Sequence, residues 1–312
     1  MAFKEVNTLA SQGIPFLFIS DFKAKQVEVI PLDELHKHDI EYSICENYCY
    51  EEHEHFLEKK PIDFADYSKK FDAVIEKIKA GETYILNLTQ ATPIETKLSL
   101  KEIYKLANAH YKLRYKNSFV CFSPEKFIQI KGNKIHTFPM KGTIDASIEN
   151  AEDLILENEK EMAEHVMIVD LLRNDLSIVA KHVQVERFRY IQKIDAGQKE
   201  LLQVSSHISG ELEEEWKANL GNILKQLLPA GSISGAPKRS TLDIIENVEK
   251  YERGFFSGVF GIFDGQNFDS GVMIRFIENT QDGFLYKSGG GVTLDSDAVL
   301  EYEELQDKIY LP

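Results

Sequence analysis

Positive charge is what this 312-residue chain is shortest of: 36 lysines and arginines stand against 51 aspartates and glutamates, a net charge of −15. Nucleic-acid and anionic-membrane surfaces need basic stripes, so neither is expected as a partner. An anionic small molecule would need a local cluster of donors or a metal ion to overcome the field. Cysteine is scarce too. Cys45, Cys49 and Cys121 form no C-x-x-C pair, and the intervals from the first two to His53 and His55 match neither a zinc finger nor a ribbon. No apolar run approaches a membrane span, and the opening MAFKEVNTLA has no signal core. A soluble, cytoplasmic protein is the expectation. Repeats, low-complexity tracts and a recognisable linker are all missing. One interleaved α/β domain over residues 1–312 follows, with large, mostly antiparallel sheets and residues 1–62 in the same sheet core.

What is present falls into order along the chain. IPFLFISDF, QVEVIPLD and IEYSICENYCY read as strands. A helix follows from Asp63 to Ala80, with Phe64, Phe71, Val74, Ile75 and Ile78 on one stripe and Gly81 as its cap. Ser99 caps a second helix, expected to run to His110. KFIQIKGNKIHTF reads as two strands joined through a Gly-Asn hairpin turn. A long helix is expected from Asn158 to Ala180, and others over Lys217–Leu228, Ser240–Tyr251 and from Ser296. PAGSISGAPK interrupts the helices as a loop and lacks the spacing of a phosphate-binding motif.

Several side chains carry chemistry. In T-F-P-M-K-G-T, Lys141 stands after a strand expected to end at Pro139 and before a turn allowed by Gly142. That seat suits an amine whose pKa must fall before it acts as nucleophile or base; a solvated lysine is the competing reading. Glu161 and Glu164 lie at i and i+3 on the long helix, and Glu301 and Glu304 repeat the spacing on the last, with Lys308 one turn on. Two such carboxylate pairs could meet around a hard cation, magnesium before zinc, or could simply be solvated. Gly289, Gly290 and Gly291, in the run GFLYKSGGGVT that reads as a strand, offer unshielded amides for an anion, or a flexible turn. Arg275, in V-M-I-R-F-I, reads as a carboxylate receptor inside a strand or as a paired structural ion. Glu125, at the entry of the hairpin, could reach Lys141 as a proton-transfer partner.

These motifs together resemble the chorismate-utilising enzymes: anthranilate synthase component I, aminodeoxychorismate synthase component I, and the isochorismate and salicylate synthases. The resemblance runs from about Phe64 to the C-terminus. It rests on G-E-T-Y-x-x-N-L-T from Gly81, S-P-E from Ser123, P-M-K-G-T from Pro139 and A-E-H-x-M-I-V-D-L-x-R-N-D from Ala163. P-A-G-S-I-S-G-A-P-K from Pro229, Arg275, the three glycines and E-Y-E-E complete it. The resemblance implies magnesium on Glu164 and Glu304, with Glu161 and Glu301 beside or behind them. It implies a substrate carboxylate on the metal and the glycine segment, and the enolpyruvyl carboxylate on Arg275. Further substrate contacts are expected from Gly142, Thr143, Ser232 and Lys308.

Within the family, aminodeoxychorismate synthases resemble P-I-K-G-T at Lys141, where the lysine attacks C2 of chorismate and is displaced as ammonia adds at C4. Anthranilate synthases resemble P-I-A-G-T there. The water-activating lysine of isochorismate-type relatives aligns with Ile85, which cannot serve as a base. Glu125 matches the acid/base partner of the lysine. The resemblance thus implies an aminodeoxychorismate synthase subunit supplied with ammonia by a glutamine amidotransferase, on the route to 4-aminobenzoate and folate. Anthranilate synthase component I and a non-catalytic chorismate-binding relative are the alternatives. Three departures stand out. The run Leu202–Gln203–Val204–Ser205 lacks the histidine of a family H-L-V-S, Phe256 replaces a substrate-contacting tyrosine or tryptophan, and no L-L-E-S tryptophan-sensing segment occurs.

Overall fold

The computed structural model describes residues 1–45, 55–195 and 200–312. It opens on a helix, α1 (Ala2–Ser11), where only strands and connections were expected. Val6 and Ala10 are its buried side chains. β1 (Phe16–Ser20), β2 (Val27–Pro31) and β3 (Ile40–Ile44) then fall on the expected runs, followed by β4 (Leu57–Lys59). The remainder of the third run, residues 46–50, and the Cys49 and His53 of the rejected zinc reading lie outside the described residues. α2 (Phe64–Lys79) buries Tyr67, Phe71, Val74 and Ile78 at helical spacing. Phe64, expected on that stripe, is instead exposed and meets Tyr302 edge-on. Gly81 closes the helix at φ +74°.

β5 (Ile85–Thr96) leads to α3 (Leu100–Leu106), whose Ser99 and Glu102 form a reciprocal capping box. The helix stops short of His110, and a strand absent from the sequence reading, β6 (Tyr111–Tyr115), follows. β7 (Phe119–Ser123), β8 (Lys126–Lys131) and β9 (Lys134–Thr137) come next, the last two paired as expected through Ile130 and Ile135. The chain continues through β10 (Met140–Asp145), α4 (Ala151–Glu157), α5 (Glu159–Ser177), β11 (Lys181–Asp195) and β12 (Glu200–Glu211). α6 (Trp216–Leu227), the short α7 (Gly231–Ser234), β13 (Gly235–Ala236) and α8 (Lys238–Glu249) carry it to the last strands. Those are β14 (Val259–Phe263), β15 (Phe268–Val272), β16 (Phe276–Thr280) and β17 (Gly283–Val292), before α9 (Ala298–Asp307).

The strands form two antiparallel sheets. One runs β10-β12-β9-β8-β15-β14-β1-β2, with β11 also on β12; the other runs β13-β5-β17-β16-β7-β6-β3, with β4 on β5. β1 shows how the layers are held. Phe16 and Phe18 point into a core shared with α1, α2, α5, α6 and α8, while Leu17 and Ile19 enter a second core between the sheets with Tyr111, Leu113 and Phe276. Burial on both faces makes β1 a continuous apolar run. Each such side chain removed from water contributes about 1.5–3 kcal/mol. The result is a mixed α/β domain of antiparallel sheets flanked by helices. Among the described residues, no helix is long and apolar enough to cross a membrane.

Candidate active site

The chain changes sheets between β15 and β16, and Arg275 stands at that crossing with φ +50°. Arg275 is therefore not inside a strand, as its apolar neighbours suggested; it sits in a break that separates two strands. A cavity of about 430 Å³ opens there, reached by Lys141, Thr143, Glu161, Arg275, Glu304 and Lys308 among others. Arg275 holds its guanidinium 5.6 Å from the Tyr310 ring centre, and its Nε meets no partner among the described residues.

Lys141 lies within β10, not in a turn after a terminating strand. Met140 pairs with Ser205 and Thr143 with Gln203, so Lys141 and Gly142 together oppose Val204 alone. This is a β-bulge, and Gly142, at φ +90°, supplies the conformation that re-aims the lysine. Lys141 Nζ lies 2.7 Å from Glu164 Oε2. Burial pushes its pKa down, but Glu164, Glu304 and Glu161 outweigh that and raise it. The lowered pKa expected for this amine is not what the structure holds: Lys141 is an ammonium clamped by a carboxylate.

The two glutamate pairs converge on this cavity. Asn158 caps α5 by accepting from Glu161 N at 3.0 Å, which fixes the turn that carries Glu161 and Glu164. Glu164 is 6% exposed. A Cβ placed on Gly142 would lie 3.2 Å from Glu161 Oε2, and that oxygen is buried with no partner among the described residues. Asp297 caps α9, which presents Glu301 and Glu304. A Cβ on Gly290 would lie 3.1 Å from Glu301 Oε2 and 4.0 Å from Glu304 Oε1, so both pairs border the same space. Burial raises the pKa of Glu301, which accepts from Ser296 Oγ at 2.8 Å. Burial works the same way on Glu304, but Lys308, 2.6 Å away, carries its pKa below the usual range. Lysines thus hold one glutamate of each pair. Among the described residues, no group of three or more His, Cys, Asp or Glu is closed around a metal-sized gap.

Gly289, Gly290 and Gly291 are not a turn and form no nest. They are strand residues of β17 in register with Thr89, Leu88 and Asn87 of β5. β16 pairs with β17 only as far as Lys287, so among the described residues one edge of the glycine stretch has no strand beside it. The Gly289 carbonyl accepts there from Lys308 Nζ at 2.8 Å.

Glu125 and Lys141 do border common space, though not through the hairpin: β9 ends at Thr137, and Lys141 belongs to the next strand. They share the wall of the main cavity and of an inner one of about 110 Å³, where Ile85, Phe138, Ile168 and Leu172 stand beside Lys126 and Glu164. Burial raises the pKa of Glu125, against a hydrogen bond from Ser232 Oγ (2.5 Å) and the charges of Arg275 and Lys308. PAGSISGAPK is not the plain loop expected. It folds as α7 and β13, with Gly235 opposite Leu86 of β5, and this places Ser232.

Sequence reading missed three residues here. Gln203 faces the cavity, while Leu202 beside it is 3% exposed and turned away. The two-residue period of β12 separates them and is a signal the sequence contained. Ser257, at φ +62°, is buried beside Arg275 along the wall. His165, next to Glu164, is fully buried with Nε2 2.7 Å from Ser206 Oγ, and burial pushes its pKa down to about 4.

Comparison with known proteins identifies the family. The family model described as chorismate binding enzyme matches residues 26–311. A Haemophilus influenzae protein named as an uncharacterised PabA-like protein is 46% identical over 99% of this chain and 95% of its own. Aminodeoxychorismate synthase component 1 of Bacillus subtilis is 34% identical over 77% of this chain and 54% of its own. The solved structure of the menaquinone-specific isochorismate synthase MenF from Escherichia coli superposes with a TM-score of 0.75 at 14% identity, over 98% of this chain and 80% of that one. This chain belongs to the chorismate-binding enzyme family.

Proposed function

We propose that the chain is the synthase subunit that converts chorismate and ammonia to 4-amino-4-deoxychorismate and water. The observation that carries this reading is Lys141, placed by a bulge at the wall of a cavity that also receives Glu125 and Arg275. Arg275 suits one carboxylate of the dianionic substrate, through the planar fork of its guanidinium. Lys141, once neutral, attacks C2 through Nζ. The ring double bonds shift, and the C4 hydroxyl leaves as water with the proton of Glu125. Ammonia then adds at C4, the C2–N bond breaks, and Lys141 recovers its electron pair. The proton shed by the new C4 ammonium returns to Glu125. The raised pKa of Glu125 suits a group that must begin protonated. Ile85, on the wall of the inner cavity, stands where isochorismate-type relatives carry their water-activating lysine, and it cannot act as that base.

The donor set fits a hard divalent cation. All four groups are carboxylates, and Glu161 Oε2 is buried without a partner among the described residues. Glu164 and Glu304 would hold magnesium, with Glu161 and Glu301 beside them. Bound there, the cation would take a substrate carboxylate and neutralise the charge that now keeps Lys141 and Lys308 in ion pairs. Ammonia would come from a glutamine amidotransferase partner, and a separate lyase would release 4-aminobenzoate for folate synthesis. Product identification with chorismate, magnesium and ammonium tests the reading.

A further inference from the structure

We propose that Ser232 is a positioning residue: its hydroxyl fixes the carboxyl group of Glu125 between the two cavities rather than binding the substrate. The inference rests on the C4-amination reading and assigns Ser232 a role different from the substrate contact expected by resemblance. Its Oγ lies 2.5 Å from Glu125 Oε1. A hydroxyl has one proton to give, and this one is directed at the carboxylate.

The supports of the two residues differ. Glu125 follows Pro124 in the short connection between β7 and β8, tied by its own N–H to Ser123 Oγ (3.1 Å) and by its carbonyl to Val272 N (3.0 Å). Neither bond restrains its side chain. Ser232 rides on α7, which is gripped from both sides. Gly235, next in the chain, pairs with Leu86 of β5. Gly231 approaches α5 so closely that a Cβ there would stand 2.6 Å from Asp175 Oδ2. Ser234 Oγ donates back to Ala230 O at 2.9 Å. A hydroxyl on so confined a segment can impose its geometry on a carboxyl group that lacks other restraint. One Glu125 oxygen is thereby held and the other is left to face the substrate.

Arg275 and Lys308 act on Glu125 from the crossing before β16 and from the end of α9, and Lys126, Lys141 and the carboxylate of Glu164 border the same inner cavity. The four cations favour the carboxylate, as Ser232 does when it donates, while Glu164, paired with Lys141, works against them. Losing the hydroxyl therefore moves Glu125 towards a higher pKa as well as freeing it.

The test compares wild type, Ser232→Ala, Ser232→Thr and Glu125→Gln, using chorismate, magnesium and ammonium. For Ser232→Ala, kcat should fall about tenfold or more while KM and directly titrated chorismate binding stay within twofold. The alkaline limb of its kcat profile should move to higher pH, and Ser232→Thr should restore both. Adding Ser232→Ala to Glu125→Gln should cause no further loss, since the serine acts through the glutamate. A raised KM with kcat and limb unchanged would overturn the inference, as would losses that multiply in the double variant. If Ser232→Ala does not fold, Ser232→Thr and Ser232→Cys are compared instead; equal kcat and an unmoved limb in Ser232→Cys overturn the role. A wild-type chain that consumes chorismate without aminating C4 would overturn the underlying reading, a different result from an active wild type with an indifferent Ser232.

Discussion

Lys141 and Glu164 form a 2.7 Å ion pair between a bulged strand and a helix face, and the glutamate is almost wholly buried. The pair joins the amine proposed as nucleophile to a carboxylate proposed as metal ligand. Removing the amine should therefore separate chemistry from binding. Lys141→Ala is expected to lower amination by at least about a thousandfold, the scale for losing a covalent catalyst, while chorismate binding in magnesium changes only a few-fold. Chromatography of products and calorimetric titration of chorismate check the two halves. Undiminished 4-amino-4-deoxychorismate from this variant would remove the nucleophile assignment.

The glycines of β17 differ in what a methyl group would meet. At Gly290 a Cβ would lie 3.1 Å from Glu301 Oε2 and 3.6 Å from Lys308 Nζ, inside the cavity. At Gly289 it would lie 2.5 Å from Leu88 O in the partner strand. Gly290→Ala should keep the melting temperature within a few degrees and raise KM for chorismate about tenfold. Gly289→Ala should instead destabilise the fold by about 1–3 kcal/mol, the usual scale for overpacking. Thermal melts beside steady-state kinetics separate them, and equal effects from both variants would contradict the placement.

Behind the glycine strand, Arg253 and Glu249 are buried together at 2.6 Å. Arg253 also donates to Ile233 O and Asn87 O, and Glu249 accepts from Thr89 N. α8, α7 and β5 are thereby tied into one support for the cavity wall. Arg253→Ala leaves a buried carboxylate without its cation, so a loss of about 3–5 kcal/mol is expected from chemical denaturation. A loss below about 1 kcal/mol would mean the network is not what holds these elements.

His136 on β9 and His207 on β12 approach to 3.0 Å, Nδ1 to Nε2. Burial lowers the pKa of both, that of His136 to about 4, with His207 adding to the effect. The unfolded chain, with histidine near 6.5, binds more protons than the folded chain between those values. Stability should therefore be full above about pH 7 and decline as pH falls from about 6.5 towards 4. Melting temperature against pH should show that slope in wild type and a shallower one in His136→Gln. An equal slope in the two proteins would assign the effect elsewhere.

Local chemistry was the part of this fold that could be read in advance. The Ser99 cap, the Gly132–Asn133 hairpin and the body of α5 each depend on residues a few positions apart. What escaped reading was set by distant partners. Lys141 reads as part of a turn until β12, some sixty residues on, imposes the bulge. V-M-I-R-F-I reads as one strand because nothing local says that its two halves join different sheets. GFLYKSGGGVT reads as a strand, but its three glycines also suggest a nest or a turn, and only pairing with β5, two hundred residues earlier, decides for the strand. In the site, the residue types and helix spacings of Glu161, Glu164, Glu301 and Glu304 were visible, as was Lys308 one turn beyond Glu304, but the lysine that holds Glu164 was not. The contact between Lys141 and Glu164 exists only after β10 and α5 are packed.

The identity of the product decides whether this chain aminates chorismate at C4. The purified chain would be incubated with chorismate, magnesium and ammonium, with and without an aminodeoxychorismate lyase, and the products resolved by chromatography and mass spectrometry. The expected product is 4-amino-4-deoxychorismate, converted to 4-aminobenzoate only when the lyase is present. Anthranilate, or no turnover with ammonium in excess, would contradict it.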